Sequence, residues 1–280
     1  MINVNTFKEY KGVKKLTQIT AYDYSTARLV EEAGIDFILV GDSLGMVMLG
    51  YPSTLPVTME DMIHHGAAVV RGARNTFVVV DMPFMSYQAS DEDAVRNAGR
   101  LLKETGCQAV KLEGGAKYAS RIKAITDAGI PVVGHVGLTP QSVNAFGGYK
   151  VQGKSYDAAK ALIKDCLAVE EAGAFAVTLE CVPADLAAEI TKMLHISTIG
   201  IGASNVCDAQ VLVEQDMLGY TADKTAKFVK KFANAHDMIV EAFKEYKSEV
   251  ESGAFPAPEH TYKIDPEDLK NALKEIKESK

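Results

Sequence analysis

The stretch SDEDAVRNAGRLLKETGCQAVKLEGG, Ser90–Gly115, holds one helix and the strand that follows it. Ser90 offers a hydroxyl to cap the first helical turn, three acidic residues follow it at the positive helix end, and Gly106 supplies a stop. The strand reads QAVKLEG, where Val110 and Leu112 alternate with Lys111 and Glu113. Such alternation sets both charged side chains on one face, directly before two glycines.

The same unit recurs along the chain. Predicted strands are LTQITAY, IDFILVG, TFVVVD, QAVKLEG, PVVGHV, AFAVTLE, STIGIG and DMLGY, separated by helical patterns that end in EEAGI, TDAGI or EEAGA. Eight alternating βα units predict an α/β fold of the TIM (βα)8 barrel class. Residues 1–262 are read as a single barrel domain with an N-terminal extension, since no internal linker rich in Pro, Ser or Gly divides them. Residues 263–280 form a C-terminal tail. There Asp265 as cap, Pro266 in the first turn and Leu269, Leu273 and Ile276 on one face predict a short helix. Gly134–Ser155, GHVGLTPQSVNAFGGYKVQGKS, is too long for an idle connection and is expected to line or cover the active site.

Composition narrows the partners. With 47% hydrophobic and 24% charged residues among 280, the chain has ample material for a core. A formal charge of -7 without a basic block argues against nucleic acid or an anionic membrane and favours small-molecule substrates. The N-terminus lacks the apolar centre of a signal peptide, and no run approaches the roughly 20 apolar residues that span a bilayer. A cytoplasmic location is expected. Cys107, Cys166, Cys181 and Cys207 lack zinc or disulfide spacing and read as free thiols.

In a parallel barrel the reacting groups stand where strands end. Those ends carry Asp42 and Ser43, Asp81, Lys111 and Glu113, His135, and Glu180. One Asp at a strand end is commonly a helix cap, and one His is commonly structural. Four carboxylates on neighbouring strands, offset by Lys111, repel one another unless a cation joins them. An oxygen-only set without Cys suits magnesium, which takes one or two carboxylates together with waters and substrate oxygens. Asp42 and Asp81 are the expected direct ligands, with Glu113 nearby or acting through water. A 2-oxo acid would chelate such an ion, and a carboxylate base would then remove the proton beside the polarised ketone to give an enolate.

The segments TAYDYSTA, VGDSLGMVMLGYPSTLPVT, DMPFMSY, VKLEGG, GHVGLTPQSVNAFGGYKVQG, LECVP and EVESGAFP, in this order, resemble the signature segments of the ketopantoate hydroxymethyltransferase family. The resemblance spans about residue 6 to residue 262. It implies a (βα)8 barrel in a homodecamer, acting early in pantothenate and coenzyme A synthesis. The implied reaction moves a hydroxymethyl group from 5,10-methylenetetrahydrofolate, a co-substrate, to 3-methyl-2-oxobutanoate with magnesium. Residue by residue, Asp42, Asp81 and Glu113 match the metal-associated carboxylates, and Asp42, Ser43, Asp81 and Lys111 match the positions that hold the oxo acid. Glu180 matches the proton acceptor, and His135 is assigned to substrate hydrogen bonding. The chain departs from the family pattern at Ser204 and Ala209, where glycine is frequent, so altered geometry after strand seven is expected.

Two rival readings differ in class. A magnesium-dependent carbon–carbon lyase of the isocitrate lyase and phosphoenolpyruvate mutase type shares the barrel logic but relies on a KKCG-type loop that this sequence lacks. A non-catalytic barrel that binds oxo acids would be marked by loss of Glu180 or of a metal carboxylate, and all are present. The adjacent His64 and His65 project in different directions from a helix, which reads as one surface and one core histidine rather than a metal pair.

Overall fold

A computed structural model describes residues 2–221 and 225–279. Eight parallel strands close into a barrel in chain order: β1 (Leu16–Thr20), β2 (Phe37–Val40), β3 (Phe77–Asp81), β4 (Ala109–Glu113), β5 (Val132–Gly137), β6 (Ala176–Glu180), β7 (Ser197–Ile201) and β8 (Ala209–Leu212). Closure is made by β8 against β1, where Leu16 pairs with Ala209 and Gln18 with Val211.

Seven of the eight expected strands form where the alternation places them; the eighth does not. The segment DMLGY lies on and just beyond the short helix Glu214–Leu218, and β8 is instead the four residues AQVL. Ala209 and Val211 point into the barrel core while Gln210 is exposed, a two-residue period too short to stand out in the sequence. Gly219, at φ 68, follows the helix as its left-handed stop.

The period of two sorts the sheet into faces. Val78, Val80, Val110, Leu112, Val132, Val136, Val177 and Leu179 face outward and pack with helical Val69, Ala98, Leu101, Ile125, Val169 and Ile190. Phe37, Leu39, Phe77, Val79, Ala109, Val133, Ala176 and Ile199 fill the interior. The helix Val4–Tyr10 plugs the N-terminal mouth, setting Phe7 edge-on against Phe37, Phe77 and Phe175 with centroids 4.9–5.6 Å apart. Continuing the inward rows upward gives Asp81, Lys111, Glu113, His135 and Glu180 at the opposite mouth, so burial of the apolar rows fixes where the charged ones go.

The unit that opened the sequence reading behaves as expected: Ser90 Oγ accepts the Asp93 N–H at 3.1 Å, and Gly106 is left-handed at φ 81. Ser204 and Ala209 keep ordinary backbone geometry, since Met85 and Cys181 are the positive-φ residues other than glycine among the described residues. Ala209 is the first residue of β8 rather than part of the turn.

The chain divides into two compact units, one of Met1–Leu218 with Asp223–Phe232, the other of Gly219–Ala222 with Ala233–Lys280. The second unit carries the helix Ala235–Ser252 and, as the tail predicted, the helix Pro266–Glu278. Asp265 caps the latter by accepting the N–H groups of Glu267 and Asp268, and none of its residues is buried. Among the described residues no helix is long and apolar enough to cross a membrane.

Candidate active site

Strand register brings the predicted groups side by side. Asp81 stands opposite Lys111, Glu113 opposite His135, and Glu180 opposite Gly137 on consecutive strands. Lys111 Nζ meets Asp81 Oδ1 at 2.5 Å, and both side chains are buried. The other oxygen of Asp81 accepts the backbone N–H of Asp42 at 3.0 Å, which ties the β2 loop to the end of β3. Ser43, next along that loop, shares a 2.8 Å hydrogen bond with the hydroxyl of Tyr22.

His135 links the two glutamates. Its Nε2 lies 3.1 Å from Glu180 Oε2 and its Nδ1 3.5 Å from Glu113 Oε1, ion-pair distances without the alignment of hydrogen bonds. Burial and the nearby Lys111 charge pull the imidazole down, but Glu113 and Glu180 outweigh them and leave its pKa up at about 9. Lys111 follows the same logic: burial would lower it, and Asp81, Asp42 and Glu113 hold it above its ordinary value. Asp42 shows the strain of the arrangement. Burial first, then the charges of Asp81 and Glu113, push its carboxyl well above the usual range.

Four carboxyl groups thus face two basic side chains, Lys111 and His135, in a largely buried cluster, and a divalent cation among them would offset the repulsion between the carboxylates. Among the described residues no group of three or more His, Cys, Asp or Glu side chains is placed to hold a metal ion by itself. An open set of two carboxylates is what a hard divalent ion completed by water and substrate oxygens accepts. Asp81 Oδ1 is a buried oxygen without a directed hydrogen bond. The residues fit such an ion.

Sequence reasoning missed four side chains of this site. Gln141, on the short turn Pro140–Ser142 of the long β5 loop, donates to Asp42 Oδ2 at 2.9 Å, and its backbone N–H donates to Glu113 Oε2 at 2.9 Å. Tyr87 Oη and Gln88 Nε2 donate to the side-chain amide oxygen Oε1 of Gln141, and Tyr22 shares a hydrogen bond with Ser43. TPQS and DMPFMSY lay within the quoted motifs, yet an uncharged amide or phenol in a loop carries no periodic signal. The loop does line the site as expected. Leu138 N–H reaches Glu180 O and Gln152 N–H reaches Cys181 O, each at 2.9 Å. Tyr149 on the same loop has its phenol raised by burial and by the charges of Glu180, Asp42 and Glu113.

The two glycines after β4, which would be read as keeping side chains out of the pocket, answer instead to close packing beside it. Gly114 adopts φ 111, and a Cβ there would run into the Tyr118 ring; a Cβ on Gly115 would run into Asp165. Of the paired histidines, His64 is exposed and half-buried His65 places Nδ1 2.6 Å from Tyr22 O, so no metal pair forms.

Fold and rim together define a (βα)8 barrel of the enzyme type, with a cluster of charged side chains at the carboxyl ends of adjacent strands. A family model for ketopantoate hydroxymethyltransferase matches residues 1–258, and the chain belongs to that family. It is 62% identical over 263 residues to the 3-methyl-2-oxobutanoate hydroxymethyltransferase of Clostridium novyi (strain NT), covering 94% of this chain and 96% of that one. Identity to the enzyme of the same name from Enterococcus faecalis (strain ATCC 700802 / V583) is 63% over 260 residues, 92% of this chain and 94% of that one. Among solved structures, 2,3-dimethylmalate lyase, a PEP mutase/isocitrate lyase superfamily member, aligns with a TM-score of 0.59 at 15% identity over 100% of both chains. Phosphonopyruvate hydrolase in complex with oxalate and Mg++ aligns with a TM-score of 0.59 at 13% identity, covering 92% of this chain and 93% of that one. These distant likenesses speak for the barrel fold alone.

Proposed function

We propose that this chain transfers a hydroxymethyl group from 5,10-methylenetetrahydrofolate to 3-methyl-2-oxobutanoate, giving 2-dehydropantoate for pantothenate and coenzyme A synthesis in the cytoplasm, as a homodecamer. The observation that carries the reading is family membership over nearly the whole chain, with every strand-end group of the cluster in place. Asp42 and Asp81 would hold Mg2+, with Glu113 behind them, and the ion would polarise the oxo group and make the C3 proton more acidic. Asp42, Ser43 and Asp81 border the position of the oxo acid, and the Lys111 ammonium offsets negative charge gathering there.

Glu180 is the base. Its side chain is 16% exposed and turned to the mouth of the barrel, with His135 Nε2 3.1 Å from Oε2, so its carboxylate meets substrate. It removes the proton from C3, and that carbon forms a bond to the folate methylene carbon. One of the two carbon–nitrogen bonds of that methylene breaks as the new carbon–carbon bond forms, and the other breaks as water supplies the hydroxyl. The two folate nitrogens take up the C3 proton and one proton of the water, so tetrahydrofolate departs. His135 belongs to the substrate-binding set through Nε2, the nitrogen on the Glu180 side.

The lyase alternative has the shared fold in its favour and lacks the KKCG-type loop on which that class relies. The test needs no folate. In deuterated water with 3-methyl-2-oxobutanoate and Mg2+, the C3 proton exchanges with solvent by NMR, and exhaustive chelation abolishes the exchange. Exchange that persists without metal would remove magnesium from the mechanism, and none under any condition would remove the proton abstraction.

A further inference from the structure

We propose that Gln141 is a positioning residue that joins the long β5 loop to the metal carboxylates and fixes which of their oxygens stay free for the cation. The inference rests on the reading of Asp42, Asp81 and Glu113 as the metal site.

Gln141 is 5% exposed, and every hydrogen-bonding site of its amide is used. Nε2 donates to Asp42 Oδ2 at 2.9 Å and to Met82 O at 3.0 Å. Oε1 accepts from Tyr87 Oη at 2.8 Å and Gln88 Nε2 at 3.1 Å. The amide orientation is chemically forced, because a flipped group would set its oxygen against a carboxylate and a carbonyl. The backbone N–H of the same residue then takes Glu113 Oε2 at 2.9 Å. One residue thus occupies one oxygen on each of two carboxylates that stand on different strands.

The consequence is directional. With Oδ2 held, Asp42 presents Oδ1; with Oε2 held, Glu113 keeps Oε1, the oxygen on the His135 side. No substitution reproduces this. Asn is one methylene too short, Glu would set a second carboxylate against Asp42, and Leu leaves Oδ2 buried without a donor. Tyr87 supports the arrangement from below: its hydroxyl also lies 3.1 Å from Glu113 N and 3.1 Å from Glu113 O. Downstream, Gly147 and Gly148 adopt φ 64 and 114 before Gln152 bonds Cys181 beside the base. The loop is therefore fastened to metal carboxylates at one end and to the Glu180 strand at the other, and metal binding and loop order share one amide.

The experiment uses the full chain with Mn2+ as the probe, free ion being read by electron paramagnetic resonance without turnover. Trypsin cleavage at the exposed Lys150 and Lys154 reports the loop. In the wild-type chain Mn2+ binds and slows that cleavage. Gln141→Leu weakens Mn2+ binding roughly 10- to 100-fold, the range for lost outer partners of metal ligands, and removes the protection. Tyr87→Phe is isosteric and guards against a folding defect; it weakens Mn2+ binding several-fold with metal-free melting unchanged. A merely structural role would lower melting and leave the affinity alone. Wild-type Mn2+ affinity in both variants overturns the proposal while leaving the metal site standing. Absence of wild-type binding, or Asp42→Asn and Asp81→Asn chains that bind as wild type does, overturns the site reading and this inference with it.

Discussion

The two ends of β8 bear carboxylates that are equally buried and electrostatically opposite. Asp208, just before the strand at the N-terminal mouth, is 3% exposed; Glu214, just after it at the catalytic mouth, is 4% exposed. Asp208 accepts from Lys11 Nζ, Gly12 N, Thr198 N and Thr198 Oγ1 at 2.9–3.1 Å. Burial alone would raise its pKa, yet these donors bring it below the ordinary value. Glu214 accepts from Gln215 Nε2 at 3.1 Å, and burial together with the Asp23 charge raises it to about 7. Asp42 belongs with Glu214 in this respect. Burial sets the stakes, and the number of donors decides whether a carboxylate is a clamp or a latent site. The N-terminal mouth is finished as structure, whereas the catalytic mouth is left short of positive charge.

The largest expected effect tests the unfinished end. Glu180→Gln keeps the shape of the base and removes its proton affinity, so C3 exchange falls about 10²- to 10⁴-fold. Melting changes little, because Glu180 lies at the mouth rather than in the core. Exchange at the wild-type rate would move the base to another residue.

At the finished end the expected effect is on stability. Asp208→Asn turns an amide toward donors and strips Lys11 of its partner, costing roughly 2–4 kcal/mol in urea unfolding with C3 exchange per folded molecule unchanged. A loss under about 0.5 kcal/mol, the size of an ordinary surface change, would break the contrast between the two mouths.

How much of this was open to sequence reading follows from the same physics. Period-two alternation located seven strands and, on β3 to β6, the inward charged row, because a buried sheet face constrains every second residue. It failed at β8, four residues whose outward Gln210 is exposed and whose neighbour DMLGY mimics a strand with helical residues. Gln141 was invisible for another reason. Its partners Asp42 and Tyr87 lie 99 and 54 residues away, and nothing local marks an amide that will bond them. The pairing of His135 with both glutamates likewise appears only when strand register is known.

A pH series separates the ends of β8 within one protein. Glu214, ordinarily near 4.5 and raised to about 7 when folded, holds its proton in the folded chain across that window. Its contribution is complete below the lower value and is lost as pH rises through the upper one. Asp208, with its folded value depressed, contributes above its ordinary 3.8 and loses that contribution as pH falls below it. The unfolding midpoint of Glu214→Gln should therefore stay flatter than wild type between roughly pH 5 and 7.5, with the acid-side slope retained. Parallel curves for the two chains would show that solvent already relieves Glu214.

The smallest expected effect concerns backbone rather than charge. Both positive-φ residues other than glycine among the described residues, Met85 and Cys181, follow strands at the catalytic mouth. Cys181, at φ 49, comes directly after Glu180, the proposed base; its N–H is held by Ile201 O and its carbonyl by Gln152 N–H, each at 2.9 Å. A left-handed residue with a Cβ costs about 1–3 kcal/mol, and glycine relieves this while giving back about 0.5–1 kcal/mol to the unfolded chain. Cys181→Gly should thus raise stability by roughly 0.5–1 kcal/mol in urea. C3 exchange should slow several-fold, because the constraint that aims Glu180 is loosened. A variant that gains stability and keeps full exchange would make the strained turn incidental to the base. One that loses stability would mean that the thiol packing outweighs the strain.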